Sequence, residues 1–136
     1  MQDPFPTLYR DGDYVIEHHY ENCYFSWPGG GLDLGDHYGD PTCGLINASE
    51  GWCLSGGEGL VISLFPHPLT AECRPTEYKR LNLWRRENPP SAEHKCWFVQ
   101  GAWLKGGDVA RVLVDPLSGE AGLYDVDVRT LQWRKV

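Results

Sequence analysis

Residues 52–65, WCLSGGEGLVISLF, set Gly56, Gly57 and Gly59 and a single acid, Glu58, between two apolar runs. A phosphate cradle would need a helix start behind the glycines and usually a lysine to meet the charge. Neither is present, and Glu58 stands where an anion would approach. A nucleophile elbow would need glycine two residues before Ser55, but that position holds Cys53. Leu60 to Phe65 carries β-branched Val61 and Ile62, which favour a pleated strand. The stretch therefore reads as a hairpin, with Trp52 to Ser55 running up, the glycines permitting positive φ at the reversal, and Leu60 to Phe65 running back.

Working outward, short segments of the same kind recur. Strands are expected at Tyr14–Tyr20, Cys23–Trp27, Cys43–Ala48, Tyr78–Arg86, Cys96–Trp103, Ala110–Val114, Ala121–Val128 and Leu131–Val136, besides the two arms of the hairpin. Between them lie PGGG, GDP, SEG, PHP, ENPPS, KGGD and PLSGE, all rich in turn formers. In YKRLNLWRR, Leu81 and Leu83 share one face, while Tyr78, Arg80, Asn82 and Trp84 share the other. ARVLVDPLSGEAGLYDVDV reads as a hairpin. The expected fold is all-β, an antiparallel sandwich or strongly bent meander sheet with little helix, at most a turn around Pro68 to Cys73. The 136 residues fit one domain, 1–136, and are too few for a propeller of four or more blades. The doublets Gly29-Gly30, Gly56-Gly57 and Gly106-Gly107 are explained by turns without an internal repeat.

Hydrophobic residues make up 41% of the chain and aromatics 12%, a composition that favours a packed core over disorder. The six tryptophans are spread along the chain, as core pillars with a few exposed anchors would be. No secretory signal or membrane-spanning run is read in the sequence. Five cysteines without a C-x-x-C pair suit reduced thiols and a cytoplasmic location better than a disulfide framework or a zinc site.

Two clusters could carry chemistry. LGDHYGDP places Asp36, His37 and Asp40 within five residues, a set that could hold a hard metal or orient a general base, although Asp- and Gly-rich loops usually serve as turns. His18 and His19 are successive strand residues and point to opposite faces, so they do not form one metal site; one is expected wet and the other partly buried. The basic and aromatic residues of YKRLNLWRR could bind nucleic acid, but a net charge of −7 opposes approach to a polyanion. No catalytic residue, metal or cofactor is assigned.

The most informative feature is the division of charge. Residues 1–73 hold eleven acids and one base, whereas residues 74–136 hold eight acids and eleven bases. If the turns of the first half lie together, their acids form a negative surface that steers a basic partner; otherwise they only keep the turns soluble. The contact surface expected on the first reading is Asp33, Asp36, His37, Tyr38, Asp40, Glu50, Trp52 and Glu58, with Tyr38 and Trp52 as anchors.

A compact, acidic, tryptophan-rich β domain with GDHYGDP and WCLSGGEGL resembles the small immunity proteins that bacteria encode beside polymorphic or type VI secreted toxins. The resemblance implies stoichiometric inhibition. An acidic face would dock on a basic toxin domain and block its active site, with no enzymatic activity, no nucleic-acid or membrane partner, and a monomer or weak dimer as the working state. The alternatives are a small metal-dependent hydrolase using Asp36, His37 and Asp40, and a small-molecule or carbohydrate-binding β module.

Overall fold

The computed structural model describes residues 5–66, 78–85, 96–116 and 121–136. The chain forms three successive four-stranded antiparallel meanders, so the all-β expectation holds, with three sheets in place of one or two. The first comprises β1 (Thr7–Asp11), β2 (Tyr14–His19), β3 (Asn22–Trp27) and β4 (Gly30–Asp36). The second comprises β5 (Cys43–Asn47), β6 (Trp52–Gly57), β7 (Gly59–Leu64) and β8 (Lys79–Leu83). The third comprises β9 (Val99–Gly106), β10 (Val109–Val114), β11 (Gly122–Asp127) and β12 (Trp133–Lys135). Among the described residues the helical content is one 3-10 turn, Ala48–Glu50. The turn allowed at Pro68 to Cys73 lies outside the described residues.

The second sheet is the middle layer, as alternation along its strands shows. Leu45, Trp52, Leu54, Leu60 and Ile62 pack with Val99, Ala110, Val112, Val114, Tyr124 and Val126 of the third sheet. Their neighbours Ile46 and Cys53 point the other way and pack with Ile16, Cys23, Phe25, Leu32 and Leu34 of the first. Every residue of β5 and β6 is consequently buried, the burial pattern of a strand covered on both faces. Tyr9 touches both cores.

The stretch 52–65 is the hairpin expected, with one adjustment. Gly57 pairs with Gly59 around Glu58, and Gly59 alone of the three glycines takes a positive φ, of 71°. Gly56 and Gly57 belong to β6. A β-carbon at Gly56 would lie 2.6 Å from Cys43 Sγ, so close approach of the neighbouring strand, not turn geometry, requires glycine there.

Two strands were not expected. β1, TLYRD, is largely exposed and polar, and β4, GGLDLGD, is so rich in glycine that it reads as a turn, although Leu32 and Leu34 alternate into the core. Trp84 departs from the two-face reading of its strand. It lies just beyond β8 at φ 58°, which turns the indole inward to 3% exposure, where it packs against Trp97, Tyr124 and Trp133. The glycine doublets fall at the β3–β4, β6–β7 and β9–β10 reversals, which are different positions within the three meanders, so they mark no repeat. Cys23, Cys43 and Cys53 are buried thiols outside any disulfide. Among the described residues no helix is long and apolar enough to cross a membrane.

Candidate partner-binding site

Strand pairing decides which acids share a surface. β5 pairs with β6 from Cys43↔Gly56 at one end to Asn47↔Trp52 at the other. Asp36 and Asp40 precede β5, whereas Glu50 lies in the turn after it. A strand of five residues, four steps of ~3.4 Å, separates the two ends by about 14 Å. Glu50 is therefore not part of the surface that holds Asp36 and Asp40, and its carbonyl accepts a hydrogen bond from Arg129 Nη2.

Three further residues expected at the surface are interior. Trp52 is fully buried and its Nε1–H donates to the Gly107 carbonyl at 3.0 Å, so it fills the core between the second and third sheets and is not an anchor. Trp52→Phe removes that bond and part of the buried ring, while the Gly107 carbonyl keeps the bond from Asn47 Nδ2 at 2.9 Å; a loss of about 1–2 kcal/mol is expected in chemical denaturation. Glu58 is 2% exposed at the β6–β7 bend, where its backbone bridges to Phe98. His37 is also 2% exposed.

His37 belongs to a polar chain that ties the first two sheets together. The Ser55 hydroxyl donates to His37 Nε2 at 2.9 Å, and His37 Nδ1–H points at the Glu58 carbonyl at 3.4 Å. The Cys23 thiol, from β3, shares the Ser55 hydroxyl. Burial, followed by the repulsion of Arg85, lowers the His37 pKa from 6.5 to about 4, so the ring is neutral at pH 7 and free to accept from serine. Burial also pushes the Cys23 thiol up to about 11, which keeps it protonated. Both His37 nitrogens are thus engaged inside, while Asp36 and Asp40 are exposed. The three side chains do not converge on a common point as a metal or acid–base triad would, and among the described residues no other cluster of His, Cys, Asp and Glu does so.

Asp36 and Asp40 do meet outside. Asp36 and Asp40 border a depression of about 470 Å³ together with His19, Tyr20, Glu21 and Asn22 from the β2–β3 turn. The His37 backbone N–H donates to the Glu21 carbonyl at 2.8 Å, which holds the two segments side by side. Tyr20, at φ 54°, is 76% exposed, and Tyr38 is 62% exposed. Tyr20 is anchored through its carbonyl, which accepts from His18 Nδ1 at 2.9 Å. His18 is half-buried and His19 exposed, as the alternation predicts.

Asp33 lies along β4 and is taken up locally, accepting from Asn22 Nδ2 at 3.1 Å and from the Gly35 N–H at 2.8 Å. The charge division has a structural counterpart here. Arg80 Nη2 donates to the Asp33 carbonyl at 2.8 Å and Arg85 Nη2 to the Asp36 carbonyl at 2.5 Å, so bases of the second sheet lie against the acidic strand of the first. The negative surface is consequently narrower than the sequence implies. It is the end of the first sheet that carries Glu21, Asp36 and Asp40.

Tyr20 and Glu21 were missed because the strand reading ran through Tyr20; the Glu-Asn pair that follows was the available turn signal. A different surface is built on the third sheet. Asp125 accepts from Arg111 Nε at 2.9 Å, Arg111 Nη2 at 3.2 Å and Lys105 Nζ at 2.9 Å, contacts that hold its carboxyl well below the usual range. Trp103 and Trp133 of that sheet are 51% and 38% exposed. Comparison with protein-family models, curated proteins and solved structures finds no match for this chain.

Proposed function

We propose that this protein works by binding, as a stoichiometric inhibitor of a basic secreted toxin domain. One observation carries the reading. Three carboxylates from two chain segments, Glu21, Asp36 and Asp40, border one depression together with the exposed ring of Tyr20, and the exposed ring of Tyr38 lines an adjoining cleft that shares Asp40. Charge that attracts a basic surface from a distance and large, stiff aromatic side chains that hold it at contact are what protein–protein recognition uses. Ordering a tyrosine costs little side-chain entropy for the area it buries. The Tyr20 backbone is held in a left-handed conformation unusual for a non-glycine residue, which keeps that ring projecting.

The test is neutralisation. The protein encoded beside this one is expressed in a susceptible host with either the wild-type chain or Asp36→Lys/Asp40→Lys. The wild type is expected to restore growth and the variant to fail, with its thermal unfolding unchanged because both positions are exposed. Equal protection by the two chains removes this face from the function.

A further inference from the structure

We infer that β12, the outer strand of the third sheet, takes up an acidic extended segment of another protein as a fifth strand. This surface is separate from the toxin-binding role proposed above, which uses the first sheet. β12 stands at the end of the order β12-β11-β10-β9, and its three residues are all exposed. Its hydrogen bonds show which backbone groups are open. The Val136 N–H donates to the Leu123 carbonyl at 2.8 Å, and the Asp127 N–H to the Gln132 carbonyl at 2.9 Å. Bonds in an antiparallel pair alternate, so Arg134 exchanges bonds with Asp125 opposite it, while Trp133 and Lys135 turn their N–H and C=O groups outward. An edge of this kind is a template for a further strand. β4 ends the first sheet in the same way, but its Asp33 and Asp36 carbonyls are taken by Arg80 and Arg85.

Charge decides what kind of strand fits. Across the outer face of the sheet Arg111, Asp125 and Arg134 stand opposite one another on β10, β11 and β12. The signs along this row run base, acid, base. Asp125 is answered by Arg111 and Lys105, whereas the Arg134 side chain has no hydrogen bond or ion pair among the described residues. Asp127, the other acid of the depression that Arg134 lines, accepts from the Arg129 and Thr130 N–H groups. A carboxylate on an incoming strand, set opposite Arg134, continues the alternation, and opposite charges directly across a strand pair are favourable. A second copy fits poorly, because symmetric pairing of β12 with itself sets Arg134 against Arg134.

The edge is also held ready. On the other face of β12 the Trp133 ring packs against Trp84, Trp97 and Tyr124 at centroid distances of 5.6, 5.1 and 5.7 Å, and Lys135 Nζ lies 5.9 Å from the centroid of the Tyr124 ring. Side chains that fix β12 to the body leave little ordering of its backbone to be done on binding. The Trp133 indole keeps 38% of its surface exposed, so an apolar residue next to the incoming acid finds a surface to cover. Alternating acidic and apolar residues are therefore the sequence expected of the occupant.

The probe is the blocked peptide acetyl-Val-Glu-Val-Glu-Val-amide, titrated into the whole chain and followed by amide chemical shifts. Its controls are acetyl-Val-Lys-Val-Lys-Val-amide and acetyl-Val-Glu-Pro-Glu-Val-amide. Saturable downfield shifts are expected, largest at the Trp133 and Lys135 amide protons and small at Arg134, whose N–H is already bonded within the sheet. The lysine peptide should fail on charge, and the proline peptide, which keeps the charge, on its missing donor. Lys135→Pro should bind the probe about fivefold more weakly than Lys135→Ala, the effect of one lost backbone hydrogen bond; proline is tolerated there because the N–H it removes points away from β11. Arg134→Gln should weaken binding about threefold. Either control peptide binding as tightly as the probe, or equal binding by Lys135→Pro and Lys135→Ala, overturns the inference. Shifts at the same amides that grow with protein concentration alone also overturn it, by giving the edge to a second copy. Neutralisation through Asp36 and Asp40 is read separately, so failure of either proposal leaves the other standing.

Discussion

Lowering the pH from 7 to 4 is expected to remove about 3 kcal/mol of stability through His37 alone. The folded-state pKa is about 4 against 6.5 for the free side chain, and each unit of difference is worth ~1.4 kcal/mol. The sign follows from proton counting. Between these two values the unfolded chain binds the proton and the folded chain does not, so stability rises with pH across the window. The contribution is complete above pH 6.5 and is lost as the pH falls toward 4. Protonation would put a hydrogen on Nε2, the ring nitrogen that now accepts from Ser55, setting donor against donor inside the interface of the first two sheets. His37→Gln can still donate to the Glu58 carbonyl and accept from Ser55, but it does not titrate. Urea unfolding at pH 7, 6, 5 and 4 should show the wild type losing stability and His37→Gln tracking a flatter line. Parallel curves would remove His37 as the cause. Asp125, held below the usual range by Arg111 and Lys105, adds its own loss only at lower pH, below its unfolded value of 3.8.

Gly59→Ala is expected to cost about 3 kcal/mol. A left-handed backbone costs a β-carbon-bearing residue about 1–2 kcal/mol, and Gly59 has φ 71°. Overpacking adds a further ~1–3 kcal/mol, because the new β-carbon would sit 2.5 Å from the Leu83 carbonyl oxygen and 2.8 Å from the Trp84 carbonyl carbon. These are backbone atoms at the end of β8, and they cannot rotate aside as a side chain would. Gly12→Ala serves as the control. Its φ of 58° carries the same conformational cost, but nothing lies within 4 Å of the added carbon, so about 1 kcal/mol is expected. Equal losses in the two variants, measured by denaturant titration, would show that the tight contact with β8 contributes nothing.

That glycine also shows where sequence reasoning succeeds and where it stops. The reversal within 52–65 was legible because apolar alternation fixes both arms and a bend must lie between them. Which glycine needed the positive φ was not legible, since the demand at Gly56 comes from Cys43 on another strand. β4 was hidden for a related reason. Its glycines suppress the strand signal, while Leu32 and Leu34 find their alternation only once the core of the first sheet is assembled. Trp84 reads by alternation as sharing a face with Arg80 and Asn82, and its own left-handed backbone just beyond the strand turns the indole inward instead.

The candidate site divides in the same way. Asp36, Tyr38 and Asp40 are close in the chain and remain close in space. Tyr20 and Glu21 join them through pairing of the first sheet, which spacing along the chain does not reveal. Glu50 looks like a neighbour in sequence and is separated by the length of a strand. His37 and Trp52, polar and aromatic residues in a promising context, are spent on holding sheets together. Of the eight expected contact residues His37, Trp52 and Glu58 are buried and Glu50 lies elsewhere, so the acidic end that remains is smaller and better defined.

The proposed attraction of a basic toxin domain to that end is tested most directly by the rate of association with such a domain, purified, as salt is raised. Between about 0.01 M and 0.15 M ionic strength the screening length contracts from ~30 Å to ~8 Å, and a steered encounter slows accordingly. The wild-type rate constant is expected to fall by about tenfold or more over this range, and that of Asp36→Lys/Asp40→Lys to start lower and change little. A wild-type rate indifferent to salt, or a double variant that associates as fast as the wild type at the lowest salt, would contradict docking through this surface.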